Sequence, residues 1–154
     1  MAKLIDSVFR HDVEDLRKLI TQGVQPDSDI DDDGRTALIH ASIDGNADLV
    51  QILVEAGSNV NAQDSLGNSA LHYAAQEQKC EVALLLLQAG ANVNMTDSYG
   101  NTPLWRAVFS TGEQGNMIKL LLLYGADRDR RNKRGKTPFE LANTIANYNV
   151  AQFF

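Results

Sequence analysis

Asp64-Ser65-Leu66-Gly67-Asn68-Ser69-Ala70-Leu71-His72-Tyr73-Ala74-Ala75 is the stretch whose reading decides the fold, because copies of it flank it at a fixed interval. On its N-terminal side stands Asp31-Asp32-Asp33-Gly34-Arg35-Thr36-Ala37-Leu38-Ile39-His40-Ala41, and on its C-terminal side Asp97-Ser98-Tyr99-Gly100-Asn101-Thr102-Pro103-Leu104-Trp105-Arg106-Ala107. The leading aspartates are 33 residues apart. A fourth copy, Asn132-Lys133-Arg134-Gly135-Lys136-Thr137-Pro138-Phe139-Glu140-Leu141-Ala142, follows after 35 residues. The second half of the unit recurs at residues 52–57, 85–90 and, taking the third leucine run as 121–126, once more. That alignment places an insertion of about two residues within 110–115.

Each unit reads as a turn followed by two helices. Asp-x-x-Gly supplies the turn, with glycine taking a positive φ that side chains resist. Thr36, Ser69, Thr102 and Thr137 then stand as helix N-caps, and Pro103 and Pro138 occupy the first helical position, where no amide donor is needed. Ala41, Ala74, Ala75 and Ala107 are small, as a crowded helix junction requires. The second helix carries the long aliphatics Leu49, Ile52 and Leu53, then Val82, Leu85 and Leu86, then Ile118, Leu121 and Leu122. Gly57, Gly90 and Gly125 close it.

The period, the Thr-Pro-Leu-His-like helix start and the Leu-Leu-x-x-Gly-Ala-x-Val-Asn ending resemble the ankyrin repeat, whose unit is about 33 residues long. The resemblance covers nearly the whole chain. It implies an all-α ankyrin repeat solenoid of helix-turn-helix units with β-turn fingers, about five units including N- and C-terminal caps. On this reading residues 1–154 are one domain: a cap at 1–30, full repeats at 31–63, 64–96 and 97–131, and a C-terminal cap at 132–154. The first cap shows apolar residues at helical spacing over 4–10 and 13–20, with a break at His11-Asp12, and Gly23 ends it. In the last, Val150, Phe153 and Phe154 read as the apolar face of a truncated capping helix; a docking peptide is the competing reading. Caps shield the outer faces of a stack from water.

Composition narrows the function classes. At 154 residues and 44% hydrophobic, the chain is long enough to bury a core. No apolar run reaches membrane-spanning length, and residues 1–6 meet a charge at once, so neither a membrane span nor a secretory signal is expected. Cys80 is the single cysteine and cannot staple the fold, which makes cytoplasm the expected compartment. The net charge of −6 hides a polarity: residues 1–99 carry 16 acidic and 6 basic side chains, residues 100–154 carry 4 and 8. The acidic two-thirds disfavours nucleic acid and attracts a basic partner.

Several motifs invite a chemical reading. Gly135-Lys136-Thr137 matches the end of a phosphate-binding loop, but position 130 is Arg where that loop needs glycine, and the triplet sits in repeat register. Asp29-Ile30-Asp31-Asp32-Asp33-Gly34 resembles the start of a calcium loop, but His40 stands where a bidentate glutamate should close it. His11, His40 and His72 show no metal-ligand spacing, and His72 is expected to tie neighbouring turns. No nucleophile motif, dinucleotide loop or paired carboxylates occur, so no enzyme, cofactor or metal is expected.

What the resemblance implies is a binding protein whose turn fingers and first helices line a concave face. Its contact positions fall on Asp32, Asp33, Arg35, Ile43 and Asp44, then Ser65, Leu66, Asn68, Gln76 and Glu77. The third repeat supplies Ser98, Tyr99, Asn101, Phe109 and Ser110, the fourth Lys133, Arg134 and Lys136. Ile43, Leu66, Tyr99 and Phe109 are apolar where a repeat scaffold needs no apolar residue, and Trp105 replaces the usual histidine. Large aromatics flanked by charge have hot-spot composition. For Trp105 and Phe109, packing beneath the inserted loop is the structural alternative. Asn61 and Asn94 stand where some eukaryotic ankyrin proteins are hydroxylated. The expectation is a monomer that binds one protein partner with a basic surface, as an inhibitor or a toxin-neutralising immunity protein. A regulatory adaptor or kinase-inhibitor-like protein is the alternative.

Overall fold

The computed structural model describes residues 3–111, 115–145 and 149–154. Its helices come in pairs: α1 (Leu4–Phe9) with α2 (Val13–Thr21), α3 (Ala37–Asp44) with α4 (Ala47–Glu55), α5 (Ala70–Gln76) with α6 (Cys80–Gln88), and α7 (Pro103–Ser110) with α8 (Asn116–Leu123). The last pair is α9 (Pro138–Thr144) with a 3-10 turn at Val150–Phe153. Among the described residues β structure is limited to two isolated bridges, Ile30 to Thr36 and Gln63 to Ser69, at the base of the fingers. The fold is an all-α repeat solenoid.

Helices this short are marginal alone, since isolated helices need roughly 12–15 residues to persist in water. Stacking holds them. The first helices form one row, α1 on α3 on α5 on α7 on α9, and the second helices another, α2 on α4 on α6 on α8. Leu53, Leu86 and Leu121 recur at one position of the second row, each fully buried. Burying such a side chain contributes roughly 1.5–3 kcal/mol. Ala74 and Ala107 at the first-helix seam are also fully buried, leaving no room for a longer side chain.

Local signals act as expected at the helix starts. Thr36, Thr102 and Thr137 accept from the amides of Ile39, Trp105 and Glu140, and Thr137 with Glu140 completes a reciprocal capping box. Gly57, Gly90 and Gly125 lie just beyond the second helices at φ 93°, 91° and 86°. His11, at φ 52°, marks the break between α1 and α2.

Three expectations need correction. The third leucine run is offset by one residue: Gly125 stands where Gly57 and Gly90 do, so 120–125, not 121–126, matches 52–57 and 85–90. Met117, Ile118 and Leu121 are therefore the fully buried residues of α8, Leu122 is half-buried and Leu123 is 81% exposed. Leu85 is likewise half-buried rather than central, while its neighbour Leu86 is fully buried. The C-terminal segment packs against α9 as a 3-10 turn instead of an α-helix: Val150 is fully buried, Phe153 covers Gly115, and Phe154 meets Phe139 edge-on at 5.5 Å. Arg128 lies over both rings, 4.2 Å from the Phe139 centroid. Of the expected insertion, residues 112–114 lie outside the described residues. Among the described residues no helix is long and apolar enough to cross a membrane.

Candidate protein-binding face

Each finger is organised by its first residue. One side-chain oxygen of Asp31 accepts from the amides of Asp33 and Arg35, that of Asp64 from Leu66 and Asn68, that of Asp97 from Tyr99 and Asn101, and that of Asn132 from Arg134 and Lys136, all at 2.8–3.1 Å. The turn is thus closed by a side chain wherever the sequence writes Asp or Asn. Neighbouring fingers are then laced by backbone bonds: Ser65 donates to the Asp33 carbonyl, Ser98 to that of Leu66, and Lys133 to that of Tyr99, at 2.8–3.0 Å. Gly67 and Gly100 are required here by contact as well as by φ, since an added Cβ would sit 2.9 Å from the next finger's backbone nitrogen.

The second carboxylate oxygen reaches into the first helix, nine residues on. Asp31 meets His40 Nε2 at 2.8 Å, Asp64 accepts from the Tyr73 hydroxyl at 2.6 Å, and Asp97 accepts from Arg106 at 2.6 Å. In the fourth unit both ends have changed, to Asn132 and Leu141, and this bond is gone. Burial works against ionisation of Asp31, but the bonds from the Arg35 amide and His40 outweigh it and hold its carboxyl below the usual range. Burial, helped by the Asp64 carboxylate, pushes the Tyr73 phenol up and keeps it a donor. Sequence reading placed His40 on a helix without a role; the Asp-to-residue-nine spacing was the available signal.

His72 performs the expected tie. Its Nδ1 accepts from the Ser69 amide at 3.1 Å, which leaves Nε2 to donate to the Asn101 carbonyl of the next finger at 3.0 Å. Burial drives its pKa down, so the ring is held neutral. Asn61 and Asn94 also tie neighbouring units, accepting from the amides of Asn92 and Asp127 at 2.7 and 2.8 Å.

The tempting motifs dissolve into this scaffold. Asp29 accepts from the Ile5 amide and lies 3.6 Å from Lys3, Asp31 is spent on its finger and His40, and Asp33 pairs with Arg35 at 3.2 Å. Those carboxylates therefore do not converge on one point. Gly135-Lys136-Thr137 is turn and cap. The Cys80 thiol is half-buried, and burial raises its pKa.

The expected contact residues fall into three groups. Asp32, Asp33, Asp44, Leu66, Glu77, Tyr99 and Phe109 are exposed, Tyr99 at 58% and Phe109 at 73%. Arg35, Ile43, Gln76, Asn101 and Trp105 are half-buried. Arg35 links its finger to the next first helix, pairing with Asp33 and donating to the Tyr73 hydroxyl of α5, and Gln76 accepts from Arg106 at 3.1 Å. Asn68 is the exception to the expected exposure: it is 5% exposed and its carbonyl accepts from Arg106, whose guanidinium, held by Asp97 of its own repeat, reaches back across the seam to the preceding finger.

Between the third and fourth units the finger tips and first helices enclose a groove of about 560 Å³, lined by Tyr99, Trp105, Phe109 and Leu141 with Lys133 and Arg134 at its rim. Trp105 continues along this seam towards Lys136, Glu140 and Thr144. Sequence reading named the aromatics but not Leu141, whose place opposite Trp105 depends on how α9 packs against α7.

Comparison with known proteins agrees with the geometry. A family profile described as Ankyrin repeats (3 copies) matches residues 4–97, and one described as Ankyrin repeats (many copies) matches residues 75–122. No curated protein matches the chain. Ankyrin repeats generally mediate protein–protein interaction and are generally non-catalytic. With a matching profile over more than half its length and laced fingers on paired helices, the chain belongs to the ankyrin repeat family.

Proposed function

We propose that this chain is a non-catalytic binding protein that grips one partner protein on the face formed by its fingers and first helices, and acts by covering that partner. Residues 1–30 and 132–154 cap the stack in this reading, and the units between them carry most of the surface. The observation that carries it is the laced finger ladder. Its backbone groups are consumed between neighbours, while Asp32, Asp33, Leu66 and Tyr99 stay exposed at the tips. A rigid row of exposed charged and apolar side chains presents a pre-ordered surface, which lowers the entropic cost of association.

The acidic first fingers favour a partner with a basic surface, most concretely a cationic toxin neutralised one-to-one as by an immunity protein. Asp32, Asp33 and Asp44 are exposed. Of these three, Asp33 alone is engaged by a cation among the described residues, through Arg35. A regulatory adaptor or kinase-inhibitor-like role is the second reading, favoured by the change of sign along the chain, since Lys133, Arg134 and Lys136 expose the opposite charge on the same face. The expected state is a monomer that forms a 1:1 complex in the cytoplasm.

The test is a pull-down from native lysate at two salt concentrations, comparing wild type with Asp32→Lys/Asp33→Lys. Retention of one basic protein by wild type, weakened by salt and lost from the variant, is the expected result. Equal retention of many unrelated proteins by both would overturn the inhibitor reading.

A further inference from the structure

We infer that the groove between the third and fourth units takes an extended acidic segment of the partner with a large apolar side chain at its centre. This rests on the proposed function and fixes how the partner lies along the repeat stack. Tyr99, Trp105, Phe109 and Leu141 form an apolar trough, and the aromatic members are exposed or half-buried rather than sealed. A scaffold gains nothing from leaving Phe109 73% exposed beside Tyr99 at 58%.

The charge of the rim selects the occupant. Arg106 also lines the groove but is already engaged, by Asp97 at 2.6 Å and by Gln76 and Asn68 at 3.1 Å. Lys133 and Arg134 differ: among the described residues no carboxylate pairs with either. Among the described residues the rim thus presents two uncompensated cations and no free anion. A guanidinium such as that of Arg134 recognises a carboxylate through two parallel bonds, which a basic or neutral segment cannot supply. A bulky apolar side chain between two acidic ones places its ring or branched end against Trp105 and its flanking carboxylates at Lys133 and Arg134. Base stacking on the same aromatics is the rival chemistry. It is disfavoured because a polyanion continuing along the fingers meets the exposed Asp32, Asp33 and Glu77. The partner therefore carries its acidic segment at the end that meets the fourth unit and its basic patch at the end that meets the first finger.

Trp105 is the chain's single tryptophan and lies in the groove, so its emission reports occupancy. The full chain is titrated with a capped Glu-Glu-Leu-Phe-Glu-Glu peptide, its Lys-Lys-Leu-Phe-Lys-Lys counterpart, a Glu-Glu-Gly-Ser-Glu-Glu peptide and oligothymidylate. The expected result is a saturable emission change with the first peptide that weakens with salt and is at least several-fold tighter than with any other probe. Lys133→Glu/Arg134→Glu weakens it by on the order of tenfold, and Phe109→Ala weakens it as well. Leu123→Ala, exposed on the second-helix row away from the groove, leaves it unchanged. If the charge-reversed variant unfolds, the salt dependence of the wild type decides instead. No saturable change, equal affinity for the basic peptide, tighter binding of oligothymidylate, or salt-independent binding would overturn the inference while leaving partner capture by the acidic fingers standing.

Discussion

Asp97 organises the third finger through three bonds, and substituting it in two ways separates their contributions. Its side chain is fully buried, accepts from the amides of Tyr99 at 2.8 Å and Asn101 at 3.0 Å, and accepts from Arg106 at 2.6 Å. Asp97→Ala strands both amides and leaves Arg106 without its carboxylate. A hydrogen bond to a charged group contributes about 1.5–3 kcal/mol, and breaking a buried charge pair costs about 3–5 kcal/mol. Arg106 keeps Gln76 and Asn68 and is 26% exposed, which discounts the pair. The expected loss is about 3–4 kcal/mol. Asp97→Asn keeps an oxygen for the turn, as Asn132 does naturally for Arg134 and Lys136, but turns an amide N–H towards Arg106 and so gives up that charge-assisted bond, for a loss of about 1.5–3 kcal/mol. Urea unfolding followed by circular dichroism measures both, with unchanged m-values required for the comparison. Equal losses for the two variants, or less than about 1 kcal/mol for Asp97→Ala, would refute the assignment of the turn to this side chain.

Further outcomes follow from single positions. Gly100→Ala and Gly135→Ala share a positive φ, but only at Gly100 would the new Cβ press on the next finger's backbone, 2.9 Å from the Lys133 nitrogen. The second should cost about 1 kcal/mol and the first at least 1 kcal/mol more, read from thermal melts. Leu121→Ala should cost about 2–4 kcal/mol and Leu123→Ala close to nothing, a contrast that fixes the register of α8 by denaturant midpoint. His72 is neutral in the folded chain because burial lowers its pKa, whereas the unfolded chain takes up a proton below about pH 6.5. Stability contributed by His72 is thus complete above that value and falls as pH drops towards the folded-state pKa. His72→Gln should flatten the slope of unfolding free energy between pH 7 and 5.

How much was legible depends on what the repeat holds constant. Asp-x-x-Gly and the Thr or Ser before an apolar run act through local geometry, so turn and cap could be read directly from residue type. The bond from Asp31, Asp64 and Asp97 to the first helix could not, because its far end is His40, Tyr73 and Arg106, which share only the ability to donate. Aligning by identity scatters them; comparing what each donates would have joined them. The leucines at 120–123 carry no internal mark, so only Gly125 betrays the one-residue offset. Asn68 and Asn101 occupy equivalent places yet differ in burial, because Arg106 reaches across the seam to Asn68 alone. Tyr99 and Phe109 were legible as binding residues because nothing in the scaffold required an apolar side chain at either place.

The central claim is that the partner sits on the face of fingers and first helices. Placing a photo-crosslinking phenylalanine analogue at Tyr99 and, separately, at Leu123 tests it most directly, since both sites are exposed and lie on different elements, a finger tip and the second-helix row. The account predicts one protein crosslinked in stoichiometric yield from position 99 and little from position 123. Efficient crosslinking from position 123 with none from position 99 would contradict it.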